Sequence, residues 1–118
     1  MKVNILGTDY KIKKCKISED KHMKKMNLSG YCAEMGKYIV IADMTDPEYF
    51  PNMDISEQER YRKEVLRHEI IHAFLNESGL SNCSSTPEGP WAKHEEMIDW
   101  IAIQSPKLFK AFKEAGAL

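Results

Sequence analysis

His68-Glu69-Ile70-Ile71-His72 is the stretch that most constrains the fold of this chain, because its spacing has a meaning only on a helix. Residues i and i+4 of an α-helix lie one turn apart on the same face, so the two imidazoles point toward one place. Two imidazoles arranged in this way suit a tetrahedral zinc ion. Glu69 projects beside that place, where a carboxylate can hold and deprotonate a water on the metal. The plain alternative is a helix with two surface histidines and no metal.

The residues around this motif predict one long helix. Ser56 is predicted as its N-cap, with Glu59 completing a capping box. No Gly or Pro follows before Gly79, so the helix is expected to cover residues 57–78 and to end at a left-handed Gly79. Four apolar residues at helical spacing form its predicted core stripe, namely Leu66, Ile70, Ala73 and Phe74.

The first half of the chain predicts β-structure. Residues 3–6 and 10–17 have the composition of strands, and residues 17–26 are assigned to a loop or a short helix. Residues 30–33 and 37–42 predict a β-hairpin in which Gly36 supplies the positive φ of the turn.

The last third predicts two more helices. Residues 81–90 are rich in Ser, Pro and Gly and are predicted to form a mobile loop. Residues 91–104 predict a second helix, and Ser105 with Pro106 predicts the N-cap and first residue of a third. The expected fold class is therefore α+β, with a small N-terminal antiparallel sheet or hairpin packed on the long motif helix and two C-terminal helices. Residues 1–118 are expected to form a single domain of this kind.

Composition narrows the function classes. The formal net charge of −1 gives no overall attraction to nucleic acid or to an anionic membrane. No apolar run approaches the ~18 residues that a membrane span needs, and the first residues lack the apolar core of a secretory signal. Three cysteines, Cys15, Cys32 and Cys83, include no C-x-x-C pair. They favour reduced thiols and a cytoplasmic location.

A catalytic zinc usually takes three protein ligands, so the site needs one more. Glu95 and Asp99 are an i, i+4 pair on the second predicted helix and face the same way. One carboxylate can bind the metal while the other accepts the N–H of a ligand histidine. The metzincin continuation H-E-x-x-H-x-x-G-x-x-H is excluded, because Leu75 and Ser78 occupy its Gly and third His positions.

The motif H-E-x-x-H at residues 68–72, followed by E-x-x-x-D at residues 95–99, resembles the gluzincin pattern. In that family a downstream helix gives a glutamate ligand and then an aspartate partner. A preceding β-hairpin and the helix that starts near Trp91 are also similar to small minimal zincins encoded by phages and prophages. Thermolysin-like members have Asn before the glutamate ligand, whereas this chain has His94, which is therefore an alternative third ligand.

The resemblance implies one Zn²⁺ per chain, held by His68, His72 and Glu95, with Asp99 as the partner of His68. It implies a zinc-dependent metallopeptidase in which Glu69 activates a zinc-bound water to hydrolyse a peptide or protein substrate. For a phage-encoded protein, the location would be the host cytoplasm.

The alternative function belongs to another class. It is a metal-stabilised binding or regulatory module of phage origin without turnover, in which His94 closes the fourth position of the metal.

Two further expectations concern the substrate. Residues 38–42 are expected to pair with an extended peptide if they lie at the sheet edge. Three tyrosines are candidate stabilisers of an oxyanion, although such residues more often simply pack, namely Tyr31, Tyr38 and Tyr61.

Overall fold

The chain begins with a four-stranded sheet, seen in a computed structural model that describes residues 1–118. Its strands are β1 (Lys2–Ile5), β2 (Thr8–Cys15), β3 (Gly30–Ala33) and β4 (Tyr38–Ala42), in the spatial order β1-β2-β4-β3. β1 pairs antiparallel with β2, and β3 pairs antiparallel with β4. The α+β class is confirmed. None of the helices is both long and apolar enough to cross a membrane.

The central pairing of the sheet differs from the prediction, because β2 and β4 run parallel. Parallel neighbours need a crossover connection of a dozen or more residues. Residues 16–37 supply it with a short 3₁₀ turn (Ile17–Glu19), helix α1 (Lys21–Met26) and β3. The hairpin β3–β4 is thus laid beside β2 with β3 outermost. Residues 38–42, considered for peptide pairing if they lay at the sheet edge, are interior and paired on both sides, and the edges are β1 and β3.

The residue with the positive φ in the hairpin turn also differs from the prediction. Lys37, and not Gly36, has the positive φ, at 56°. Gly36 is needed for space, since a Cβ there would lie 2.8 Å from Cδ1 of Tyr38. The Lys37 ammonium is paired with the carboxylate of Glu77 on α2.

Helix α2 (Ile55–Glu77) carries the H-E-x-x-H motif and starts earlier than predicted. Asp54 is its N-cap and accepts a hydrogen bond from the Glu57 N–H at 2.9 Å, while the Glu57 carboxylate accepts from the Asp54 N–H at 2.8 Å. The predicted box from Ser56 to Glu59 is therefore wrong, because Asp54 forms the same motif two residues upstream. The predicted end is confirmed: Gly79 follows the helix with a φ of 82°.

The predicted loop at residues 81–90 contains regular structure. Helix α3 (Leu80–Cys83) is followed by a two-residue ribbon of β5 (Ser85–Thr86) and β6 (Gly89–Pro90). A 3₁₀ turn (Trp91–Lys93) then leads into helix α4 (Glu95–Glu114).

Helix α4 replaces the two C-terminal helices of the prediction, because it runs unbroken through Pro106. Proline has no N–H and so leaves the carbonyl four residues earlier, that of Ala102, without its helical partner. Arg67 Nε of α2 donates to this carbonyl at 2.6 Å. A contact from another helix thus satisfies the group that proline orphans, and the helix need not end.

Helix α2 packs on one side of the sheet, close to the edge strand β3. The approach requires a glycine at position 30, since a Cβ on Gly30 would lie 2.7 Å from Cγ1 of Val65. The core of this layer includes Ile5, Tyr10, Ile39, Ile41 and Ala73, all buried. The motif helix is therefore held beside a strand whose outer edge is unpaired.

Candidate metal centre

Two helices build the site, and they run antiparallel. His72 of α2 lies opposite Glu95 of α4, and His68 lies opposite Asp99. Four residues backward along α2 thus correspond to four residues forward along α4. Since four residues are close to one helical turn, both pairs lie on the faces that the helices turn toward each other.

Three side chains direct donor atoms at one point. The Nε2 atoms of His68 and His72 are 3.1 Å apart. Oxygens of the Glu95 carboxylate lie 3.0 Å from Nε2 of His68 and 3.2 Å from Nε2 of His72. Donors around a tetrahedral zinc with bonds of ~2.0–2.1 Å are separated by about 3.3 Å. The spacing and chemistry of these donors therefore fit a zinc ion.

The hydrogen bonding of the His68 ring also suits a metal ligand. Its Nδ1 is 2.7 Å from Oδ1 of Asp99, and an ionised carboxylate can only accept a hydrogen bond. Nδ1 then carries a proton, and a neutral His68 ring would present the lone pair of Nε2 to His72 and Glu95. At His72, burial lowers the pKa and so favours the neutral imidazole that a metal ligand requires.

Glu69 is the buried acid of the centre, with 6% of its surface exposed. Its carboxylate and the ring nitrogens of His68 and His72 all lie within 4.8 Å of one another. Burial raises the pKa of Glu69 to about 7, assisted by the Glu95 and Asp99 carboxylates and opposed by His68. Such a group exchanges protons near neutral pH, and a cation bound beside it would lower its pKa again.

His94 does not join this group. It is the N-cap of α4, and its Nδ1 accepts a hydrogen bond from the Met97 N–H at 3.2 Å. His94 lines a third cavity together with Glu88 and Trp91, and Glu95 borders that cavity as well. The structure therefore brings Glu95, and not His94, to the two histidines.

Two cavities lie on either side of the centre, and both border His68, Glu69 and Glu95. The first, of about 340 Å³, also includes Tyr31, Cys32, Glu34, Asn76 and Lys93. The second, of about 410 Å³, includes the apolar side chains of Leu28, Val65 and Ile103 and the ring of Tyr61. The centre thus borders two adjoining halves of one groove, a Cys32 half and an Ile103 half, and the lining of each is mixed in polarity.

The edge strand β3 borders this groove. The Ser29 carbonyl accepts from the Ala42 N–H at 2.9 Å, and the Ala33 carbonyl accepts from the Lys37 N–H at 2.9 Å. Antiparallel pairing alternates along a strand, so Gly30 and Cys32 direct their backbone groups away from β4. Gly30 lines both cavities, and Cys32 lines the first one. The outward peptide groups of β3 therefore lie along one side of the groove, with Gly30 buried and Cys32 half-buried.

The three tyrosines are engaged elsewhere. The Tyr31 hydroxyl donates to Oδ2 of Asp20 at 2.8 Å, and the Tyr61 hydroxyl donates to Oγ of Ser29 at 3.0 Å. The Lys13 ammonium lies over the Tyr38 ring, 4.2 Å from the ring centroid. None of the three gains support as an oxyanion stabiliser from these contacts.

Sequence reasoning missed the contact between Arg67 and Ala102, which joins the two helices beside the centre. A signal was present, because an arginine precedes the motif and Pro106 lies four residues after Ala102. That signal can be interpreted only when it is known that α2 and α4 pack together.

Asn76 was also missed by the sequence analysis. It donates to the Sγ of Cys32 at 3.8 Å and accepts from the Ser81 hydroxyl at 2.8 Å, and it lines the Cys32 half of the groove.

Comparisons with protein-family models, with curated proteins and with solved structures found no significant match to this chain. The resemblance to gluzincins therefore rests on the motif residues themselves.

Proposed function

We propose that this chain is a zinc-dependent metallopeptidase, with His68, His72 and Glu95 as metal ligands and Glu69 as general base. The observation that carries the proposal is the set of three donors 3.0–3.2 Å apart, with a buried carboxyl beside them. Two histidines and one carboxylate are a ligand set of catalytic zinc, which keeps a position open for water or substrate.

Zinc, when bound, supplies a Lewis acid that polarises the scissile carbonyl and makes water a stronger acid. The residues of the chain do the rest. The Glu69 carboxylate takes a proton from the attacking water and gives it to the nitrogen of the leaving amine. Asp99 holds the His68 ring with its Nε2 lone pair facing the centre, through the 2.7 Å contact at Nδ1.

The substrate is an extended peptide that pairs with β3. Its backbone would bond to the outward peptide groups of Gly30 and Cys32, as in other cases of strand addition. A side chain next to the scissile bond would enter the half of the groove lined by Leu28, Val65 and Ile103. An apolar residue fits beside these three side chains, because burying it there removes apolar surface from water on both partners.

The non-catalytic alternative needs a fourth protein ligand to close the metal site. His94 is occupied as a helix cap, so Glu69 is the acid nearest to that role. The two functions therefore differ in what Glu69 does. Under the peptidase proposal it moves a proton, whereas under the alternative it holds the metal.

The test is the Glu69→Gln variant, measured for zinc content and for cleavage of a pool of fluorogenic extended peptides. The peptidase proposal expects full zinc occupancy and a loss of cleavage of at least ~10²-fold, the scale of general base catalysis. Loss of zinc would instead favour the closed, non-catalytic site. Unchanged cleavage would remove Glu69 from the mechanism.

A further inference from the structure

An orphaned carbonyl lies one turn from the metal centre. Pro106 cannot donate to the Ala102 carbonyl, and this group lies in the partly buried contact between α2 and α4. A buried carbonyl without a partner is costly. Arg67 Nε, from the opposite helix, donates to it at 2.6 Å. The proline therefore leaves the Ala102 carbonyl without its usual α-helical donor, and Arg67 of α2 supplies one.

The position of this contact relates it to the metal centre. Ala102 follows Asp99 by three residues and Glu95 by seven, so all three lie on one face of α4. Arg67 directly precedes His68 on α2. The contact therefore joins the same two helices within one turn of the His68–Asp99 pair.

We propose that Arg67 is a positioning residue, whose bond to the Ala102 carbonyl sets the spacing and register of α4 against α2 at which Glu95 and Asp99 reach the histidines. The proposal rests on the metal site described under the proposed function.

The placement of Glu95 and Asp99 needs such a contact, because these two side chains have little packing of their own. Their side chains are 65% exposed at Glu95 and 61% exposed at Asp99. Their placement therefore depends on where the α4 backbone lies. Apolar contacts at Ile98 and Ala102 hold the helices together but are not directional. A hydrogen bond to one carbonyl is directional and fixes the register.

Four variants separate positioning from mere satisfaction of a carbonyl. Arg67→Met removes the donor and keeps an apolar stem. Pro106→Ala restores an N–H that can bond the Ala102 carbonyl within α4. The double variant satisfies the carbonyl but has no tie between the helices. Arg62→Met is the matched control, since Arg62 lies on the same helix and bonds only Glu59, one turn away.

Zinc affinity and thermal stability are measured for each variant. Arg67→Met is expected to bind zinc about 10–100-fold more weakly, the usual effect of losing a group that orients ligands. The double variant should recover thermal stability but not affinity, and Arg62→Met should match the wild type in affinity. Affinity within twofold of wild type in Arg67→Met would overturn the proposal. Recovery of affinity together with stability in the double variant would also overturn it.

A second readout does not depend on metal. In the metal-free wild type, ¹⁵N chemical shifts of the His68 ring should show the Nδ1–H tautomer favoured by the bond to Asp99, a signal absent from Asp99→Ala. Arg67→Met should lose this signal, and its persistence would overturn the proposal. If the wild type binds no zinc, the peptidase proposal fails, while this comparison still decides the role of Arg67. If the wild type binds zinc and Arg67→Met keeps both affinity and signal, only the role of Arg67 fails.

Discussion

Nδ1 of His68 lies 2.7 Å from Oδ1 of Asp99, across the two longest helices of the chain. In a neutral His68 ring this contact favours the proton on Nδ1 and leaves Nε2 facing His72 and Glu95 as an acceptor. A residue of α4 thus orients a histidine of α2. The proposed metal centre would therefore depend on the pairing of these helices as well as on the motif.

Asp99→Asn should weaken zinc binding about 10–100-fold, because the amide loses the charge that stabilises the His68 Nδ1 proton. Competition with a chromogenic chelator measures the affinity. Glu96→Gln is the matched control, since Glu96 is an exposed neighbouring carboxylate with no contact to the histidines. Equal affinities in the two variants would show that Asp99 does not orient His68.

Ile103→Glu should lower kcat/KM for peptides with a bulky apolar side chain beside the scissile bond by about 10–200-fold. Ile103 is 46% exposed and lines the Ile103 half of the groove beside Leu28 and Val65, so the change should leave folding and zinc affinity intact. Ile55→Glu is the control, because Ile55 is 84% exposed at the start of α2 and lines neither half of the groove. An equal loss in both variants, or none in Ile103→Glu, would contradict the substrate preference.

Acid should destabilise the chain through Glu77. Hydrogen bonds from Lys37 and Tyr10 lower the pKa of Glu77 from 4.5 to about 2. A lowered carboxyl pKa means that the folded state prefers the ionised form, so this contribution is complete above pH 4.5. It is lost as the pH falls from 4.5 toward about 2.

Thermal unfolding of wild type and Glu77→Gln tests this prediction. The difference in Tm between them should be largest near pH 7 and should shrink as the pH falls through that window. Glu88→Gln, at an exposed carboxylate without a hydrogen-bond partner, should match the wild type throughout. A Tm difference that is the same at pH 7 and pH 3 would show that the Glu77 cluster does not respond to acid.

The sequence predicted best what depends on short spacings. The i, i+4 relationship of His68 and His72 placed two imidazoles together, and the same spacing aligned Glu95 with Asp99. The β3–β4 hairpin and the helix end at Gly79 were also predicted from neighbouring residues. Each of these features is encoded within a few turns or strands of the chain.

Features that depend on distant residues were predicted wrongly. Pro106 is a helix-start signal by local rules, but the donor from Arg67 lets α4 continue through it. The parallel β2–β4 pairing, and with it the identity of the edge strand, depends on how the crossover folds back. Strand order is a non-local property that periodicity alone does not determine.

The most direct test of the account is the zinc content of the purified chain by elemental analysis, compared with Glu95→Ala and His94→Ala. The account predicts one zinc per chain in the wild type, near-complete loss in Glu95→Ala and full retention in His94→Ala. His94→Ala should be less stable by about 1 kcal/mol, because it loses a helix cap. Absence of zinc from the wild type after zinc is supplied, or loss of zinc in His94→Ala alone, would contradict the proposed centre.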